Sequence, residues 1–454
     1  MSNSNPKVTV YVVSHNYGRF LKDAVDSVLK QSMEDWELFL VDDQSTDNTS
    51  EIMSLYEGGE RISTMRTDGI GLPAVANTVL KKARGKYVIR LDGDDVFDEN
   101  ILLVLCHHLE THPDVALVFP DYYLVDEHMG LIRQEWRTQI FQSNHVVDIP
   151  PNGACTLIRR SILDQIGRYR EDLRAQDGFD IWTKIFNDFR CANINLPLFY
   201  YRRHGKNLTD NVVRILEARR TIKRDGVEKL LPAFKPVLSV IPCRRNYDIF
   251  PNLWSKCLNG DTLLDIAIRT SCASRLFDAI VVVSDNAEVE KVVARHDDPR
   301  LTVKPRDPRS TIPSVDIAET LEPVVREMAE QWEGITVLSY VQAPFATTSN
   351  LEEAAYSLLL NDADSAFGVE EIEASLFRRD ANGLVAINKS GKFRSDYDVI
   401  YSDARTSLAI RNHNLKHGSL MGSRVVNFVV PKREAFFIHS REEFEVARIM
   451  KERT

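Results

Sequence analysis

Apolar and polar positions alternate between two periods along residues 8–95. The run VTVYVVS is apolar and β-rich, whereas FLKDAVDSVLKQ places Phe20, Leu21, Ala24, Val25, Val28 and Leu29 at i, i+1, i+4, i+5, i+8 and i+9. That spacing predicts a helix with one face against a sheet and a polar opposite face. ELFLVDD, the segment after Ser45 and Thr46, ISTMRT, LPAVANTVLKKA and KYVIRLD continue the alternation. Strands and helices taking turns in this way predict βαβ units winding a parallel sheet. The ligand crevice of such a sheet lies beyond the carboxyl ends of its strands. Asp42, Asp43, Asp92 and Asp94 fall at such ends.

A charged, helix-like stretch, VVRILEARRTIKRDGVEKLL, and a kinked segment at 232–236 then interrupt the pattern. A second alternation follows through VLSVIPC, TLLDIAIRTSCA, AIVVVSD, AEVEKVVARH, SVDIAETLEPVVREMAEQW, ITVLSYVQ, LEEAAYSLLL and DSAFGVEE. A chain of 454 residues exceeds one ordinary core. The expected organisation is two α/β domains, 1–231 and 237–454, joined by a linker at 232–236. No sequence repeat relates the halves.

Composition narrows the functional classes. With 43% hydrophobic and 27% charged residues and no low-complexity tract, the chain has the make-up of a globular protein. A net charge of -9 argues against a dedicated nucleic-acid binder, which needs a basic footprint to replace phosphate counterions. The opening MSNSNPKVTVYVV lacks the basic-then-apolar pattern of a signal peptide, and no stretch reaches the ~18 apolar residues that span a bilayer. A cytoplasmic location is expected. The basic residues Arg214, Arg219, Arg220, Lys223 and Arg224 leave peripheral contact with the inner face of a membrane open beside the plainer reading of a solvated helix face. Cys106, Cys155, Cys191, Cys243, Cys257 and Cys272 form no CxxC pair, so they are read as reduced.

The candidate chemistry centres on Asp92-Gly93-Asp94-Asp95. Hard cations such as Mg2+ and Mn2+ take oxygen ligands, commonly one or two carboxylates together with substrate phosphates. Asp92 and Asp94, two residues apart past a strand end, suit that role, and Gly93 leaves room for a diphosphate to approach. A lone DxD is equally an acidic surface turn. Here it follows Ser14-His15-Asn16 after the first strand, Val41-Asp42-Asp43-Gln44-Ser45-Thr46-Asp47 after the second, and Gly85-Lys86-Tyr87-Val88-Ile89-Arg90-Leu91 directly before it.

In that order these motifs resemble the family 2 glycosyltransferases of GT-A fold, a Rossmann-like architecture, over about residues 8–207. The resemblance implies a nucleotide-sugar donor, with Ser14, Asn16 and Asp43 on the nucleotide side and Asp43 bonded to the base. It places Asp92 near the ribose and metal, and makes Asp94 a ligand of Mn2+ or Mg2+. Asn152-Gly153-Ala154-Cys155 is similar to the acceptor-side segment. Gln176-Asp177-Gly178-Phe179-Asp180-Ile181-Trp182 is similar to the "ED-x-D-L-W" motif, which makes Asp177 the candidate general base; a helix N-cap is the other reading. Tyr201-Arg202-Arg203-His204-Gly205-Lys206-Asn207 is similar to the closing motif, with His204 a metal ligand and Arg202 and Arg203 on phosphate; an exposed basic loop is the alternative. Ala74-Val75-Ala76-Asn77 lacks the basic residue many members carry before the asparagine, so a UDP-sugar is favoured without being fixed. The implied function is metal-dependent inverting transfer of a sugar to a glycan or lipid-linked acceptor in surface polysaccharide or glycoconjugate synthesis.

From 237 onward the chain resembles the cytidylyltransferases that make CMP-sialic acid and related sugars. Ile241-Pro242-Cys243-Arg244, Leu258-Asn259-Gly260, Val283-Ser284-Asp285, Lys304-Pro305-Arg306, Gln342-Ala343-Pro344 and Arg441-Glu442-Glu443-Phe444 carry it. The Gly- and Ser-bearing phosphate loop is replaced by Arg245-Asn246-Tyr247-Asp248, the following Lys-Asn by Leu253-Trp254, and the metal-binding Asp-x-Asp by Phe437-Ile438-His439. This nucleotidyltransferase-like domain is therefore expected to be noncatalytic. By resemblance it would support a homodimer. Two rivals remain: a bifunctional enzyme that also makes a CMP-activated acid sugar, and a noncatalytic sugar-nucleotide or glycan-binding scaffold.

Overall fold

The computed structural model describes residues 5–137, 150–173, 175–186, 188–205, 207, 212–247, 250–312, 315–372, 376–381, 383–387 and 400–452. Lys206 and Asp248 of the motifs above lie outside these residues. The chain divides into two compact units, Met1–Ile222 and one beginning at Lys223.

In the first unit β1 (Val8–Ser14), α1 (Gly18–Leu29), β2 (Trp36–Asp43), α2 (Thr49–Ser54), β3 (Ile62–Thr67), α3 (Leu72–Lys82) and β4 (Tyr87–Asp92) alternate as the periodicity predicts. β1 runs parallel to both β2 and β4, and β2 is parallel to β3. After β5 (Val96–Phe97) and α4 (Ile101–Thr111) come β6 (Val115–Asp126), β7 (Leu131–Glu135), β8 (Leu157–Arg159), α5 (Arg160–Gln165), α6 (Asp177–Phe186) and β9 (Arg190–Arg203). The sheet order is β3-β2-β1-β4-β8-β6-β9-β5, with β7 beside β6, and β8 antiparallel to its neighbours β4 and β6. Every residue of β1 and β2 is buried, because helices cover both faces of this parallel part. Phe20, Leu21, Ala24, Val25 and Val28 are buried as expected. Leu29 is 40% exposed: it closes the last turn of α1, beyond the strip that meets the sheet.

The next helix, α7 (Val212–Val227), contains the division between the two units, ahead of the linker expected at 232–236. Ile222 belongs to a core cluster with Phe179 and Trp182, whereas Val227 belongs to the core of the second unit. One continuous helix thus feeds both cores, and the division falls inside it.

The second unit is also α/β. Its strands are β10 (Val237–Cys243), the short pair β11 (Cys257–Leu258) and β12 (Asp261–Thr262), β13 (Ala279–Ser284), β14 (Leu301–Pro305), β15 (Ile335–Ser339), β16 (Ser365–Ile372), the hairpin β17 (Phe377–Asp380) and β18 (Gly383–Ala386), β19 (Ile400–Arg411) and β20 (Val425–Val429). The main sheet has the order β14-β13-β10-β15-β19-β16-β20, with β19 antiparallel to β15 and β16. Each unit therefore carries a third-second-first-fourth parallel run closed by an antiparallel strand. Leu253, Trp254 and Ile438, at the altered cytidylyltransferase positions, are buried in the core of this unit. Among the described residues no helix is long and apolar enough to cross a membrane.

Candidate functional site

β1, β2 and β4 run parallel, so their carboxyl ends open on one edge of the sheet, where Asn16, Asp43, Asp92 and Asp94 gather. The first two shape the floor. Asn16 adopts φ 63°, and its Oδ1 accepts bonds from the Thr46 amide (2.8 Å) and hydroxyl (3.2 Å), tying the two strand-end loops together. Asp43 is buried, and its carboxylate accepts from the Thr67 hydroxyl (2.7 Å) and the amides of Ile70 (2.9 Å) and Gly71 (2.8 Å). It therefore organises the turn between β3 and α3, beyond anything its expected contact with a base requires. His15 Nδ1 lies 2.6 Å from the Asp43 carbonyl oxygen.

Ser14, expected on the nucleotide side, turns inward. It is fully buried and its hydroxyl stands 3.3 Å from that of Thr49, so the side chain faces the core and not the crevice. Gly93 needs a different reason as well. A Cβ there would lie 3.0 Å from the Val13 carbonyl oxygen and 3.3 Å from Ser14 Cβ, and the Gly93 amide bonds to Val13 O at 2.9 Å. Glycine lets the acidic loop pack directly on the end of β1.

Asp94 and His204 meet as expected: Nε2 is 2.9 Å from Oδ2, and both side chains are almost wholly buried. Tyr17 and Phe20 pack on the imidazole, with ring centroids 5.7 and 5.0 Å away. Asn207 holds the backbone around it, accepting from the His204 amide (3.0 Å) and donating to Arg202 O (2.7 Å). Arg202, also expected on phosphate, is turned into the protein. Its guanidinium is buried over the Phe20 ring at 4.4 Å, with Nη2 3.0 Å from Asp23, because the alternation of β9 turns it away from its exposed neighbour Arg203.

The acidic loop is electrostatically crowded. Burial, together with the charges of Asp94 and Asp177, pushes the Asp92 carboxyl up to about 6 against the opposing pull of Arg90. Burial and the charges of Asp94 and Asp92 push Asp95 well above the carboxylate range. Asp95 Oδ1 accepts from the Arg202 amide at 2.8 Å, but its Oδ2 is buried without a partner. Burial and the same three carboxylates raise the Tyr17 phenol. A divalent cation fits this set. Two ligand atoms each about 2.1 Å from one ion stand about 3 Å apart when they are adjacent, close to the Asp94–His204 separation. Among the described residues no group of three or more His, Cys, Asp or Glu could hold an ion alone. Any ion here would need further oxygen from a ligand.

Asp177 opens α6, and its carboxylate bonds to Arg90 Nη1. Arg90, within the strand motif, is a functional residue to which the motifs assign no role. It sits two residues before Asp92 on a strand, hence on the same face, and that period was legible. Its guanidinium is buried, with Nε 2.9 Å from Asp92 Oδ1. Burial opposes its charge, and Asp177 and Asp92 outweigh that effect, so it stays protonated. Room for it depends on Gly153, where a Cβ would lie 3.1 Å from Arg90 Nη2; Gly178 packs against Gly153 in turn. Asn152 fixes Gly153 by accepting from the Ala154 amide at 2.9 Å. A crevice of about 20 Å³ beside Asp177, lined by Gly153, Tyr169, Gly178 and Trp182, has room for about one water. Asn77, after the alanine that replaces a basic residue, donates to Tyr169 O (2.9 Å) and Glu171 (2.8 Å) and so holds this wall in place.

Comparison with known proteins bears on the same region. Residues 9–167 match the profile described as "Glycosyl transferase family 2". The chain is 29% identical to the Bacillus subtilis protein EpsE, named as a glycosyltransferase, across 49% of this chain and 84% of that one. It is 33% identical to glycosyltransferase GlyG of Streptococcus pneumoniae across 27% of this chain, and spans 41% of that relative's length. Among solved structures, Staphylococcus aureus TarS 1–349 in complex with UDP-GlcNAc aligns at 19% identity over 49% of this chain and 67% of that one, with a TM-score of 0.42. The mannosyltransferase PcManGT of Pyrobaculum calidifontis, in complex with GDP-Man and Mn2+, aligns at 16% identity over 50% and 65%, with a TM-score of 0.39. The profile match spans Asp43, Asp92 and Asp94, and residues 9–167 carry a family 2 glycosyltransferase domain.

Proposed function

We propose that the first half transfers a sugar from a nucleotide-sugar, with UDP-sugars favoured, to a hydroxyl of a glycan or lipid-linked acceptor, with inversion and with the help of Mn2+ or Mg2+. The observation that carries this reading is the meeting of the Asp94–His204 pair with Asp92 and Asp177 through Arg90, on the strand-end edge where α/β sheets bind ligands.

Asp94 and His204, with Asp92 beside them, would hold the cation, and donor phosphate oxygens would complete its shell. The bound cation supplies Lewis-acid neutralisation of the charge that develops on the departing diphosphate. Asp177 takes the proton from the acceptor hydroxyl as that oxygen attacks the anomeric carbon on the face opposite the leaving group. Asp43 sets the loop against which the base rests and offers it the remaining lone pair of Oδ2. Arg203, exposed next to His204 in sequence, would meet phosphate, and Arg202, held on Asp23, would not.

The second half is proposed as noncatalytic. Leu253 is a core residue where the lysine would have to stand, and Phe437 and His439 occupy the positions of both metal carboxylates, so its contribution would be assembly or docking. Pyrophosphate release from CTP with a panel of acid sugars is expected to be absent; turnover would establish the bifunctional reading.

The decisive test of the transferase is a thermal-shift and hydrolysis screen of UDP-, GDP-, dTDP- and CMP-sugars with and without Mn2+, since a true donor raises apparent stability by mass action. Mn2+-dependent hydrolysis that Asp94→Ala abolishes is expected. Binding without hydrolysis, or hydrolysis unchanged in Asp94→Ala, would favour the scaffold.

A further inference from the structure

Two carboxylates with different tasks share one guanidinium in the crevice. Arg90 lies 2.9 Å from Asp92 through Nε, but that N–H is not aimed at the oxygen, and Nε has no hydrogen-bond acceptor. Its aligned bond runs from Nη1 to Asp177 Oδ2. Among the described residues, Arg90 is the one hydrogen-bond donor to the Asp177 carboxylate. The arginine itself has little freedom: it is 7% exposed, Gly153 closes on Nη2, and Gly178 packs against Gly153. Tyr11 and Tyr169, with hydroxyls 3.4 Å apart, also act on its charge.

We infer that Arg90 is a positioning residue that fixes the Asp177 carboxylate for proton abstraction, while its contact with Asp92 is only electrostatic. The inference rests on the transferase reading above. A planar guanidinium packed against Gly153 defines a direction as well as a charge, which a lysine ammonium cannot do. General-base catalysis depends on placement at the scale of an ångström, so the loss should appear in turnover and not in donor binding.

The test measures hydrolysis of UDP-glucose, UDP-GlcNAc and GDP-mannose with Mn2+, and calorimetric binding of UDP with Mn2+. The proteins compared are wild type, Arg90→Lys, Asp177→Asn and the double variant Arg90→Lys/Asp177→Asn. Arg90→Lys keeps the charge near Asp92, so kcat should fall about 100-fold with UDP affinity held within about threefold. In the Asp177→Asn background the same change should cost nothing further, since residues acting as one unit are non-additive. Gly153→Ala leaves Arg90 in place but crowds Nη2, and should reproduce the kcat loss even if Arg90→Lys does not fold. Multiplicative losses in the double variant, or UDP affinity falling in step with kcat, would overturn the inference while leaving the transferase intact. A wild type that hydrolyses none of the donors would overturn both.

Discussion

Asp43→Ala distinguishes a carboxylate that only contacts ligand from one that also builds the loop. The side chain accepts three hydrogen bonds, but the Thr67 hydroxyl has the Asp42 carbonyl oxygen 3.4 Å away as an alternative, so the Ile70 and Gly71 amides carry the loss. A hydrogen bond to a charged group contributes about 1.5–3 kcal/mol. Ile70 is exposed and Gly71 half-buried, so water recovers part of each bond, leaving an expected local cost of about 2–3 kcal/mol. Asp43→Asn keeps one carbonyl oxygen and should cost about 1 kcal/mol. Because two units need not unfold in one step, the readout is native-state hydrogen exchange at residues 70 and 71 without ligand. At 1.4 kcal/mol per tenfold, exchange should quicken by about 30- to 150-fold in the alanine variant. Unchanged exchange at both amides, together with lost UDP binding, would refute the structural role and leave Asp43 a ligand contact alone.

Gly93→Ala forces a Cβ against the Val13 carbonyl oxygen and should lower the thermal stability of the first unit by about 1–3 kcal/mol and weaken UDP binding, as calorimetry on the same protein would show; an unchanged melting profile counts against the packing role. His204→Ala should weaken Mn2+ binding in the presence of UDP by at least about tenfold, read by the paramagnetic signal of free Mn2+, since even groups behind a ligand cost 10–100-fold; an unchanged affinity removes His204 from the ligand set. In the second unit, Lys223 and Glu353 are both 2% exposed and 3.1 Å apart, with Ser357 Oγ 3.0 Å from the ammonium. Lys223→Met should destabilise that unit by about 3–5 kcal/mol in urea unfolding, and adding Glu353→Leu should recover most of it; a single variant as stable as wild type would show the pair is solvated.

Much of the molecule was legible in one dimension. The i, i+4 strip on α1 and the apolar runs at β1, β2 and β4 specify parallel βαβ units, because a helix or strand with one such pattern can bury it in only one way. The strand-end acids follow from the same topology, whereas the meeting of Asp94 with His204, 110 residues apart, was implied only by the family resemblance of the motifs. What a side chain does at its position depended on neighbours the motifs do not contain. Ser14 turned inward to Thr49, and Arg202 turned toward Asp23 beneath Phe20. A strand side chain has two faces to choose from, and a motif does not name the face. Arg90 acquired its place only when α6 brought Asp177 to it across 87 residues, with Gly153 making room. The end of the first unit likewise came to lie inside α7 and not at the prolines, since one helix can bury Ile222 in one core and Val227 in another without a break in its periodicity. Local period determined which residues could reach the crevice; long-range packing and charge decided which of them face it and what they hold.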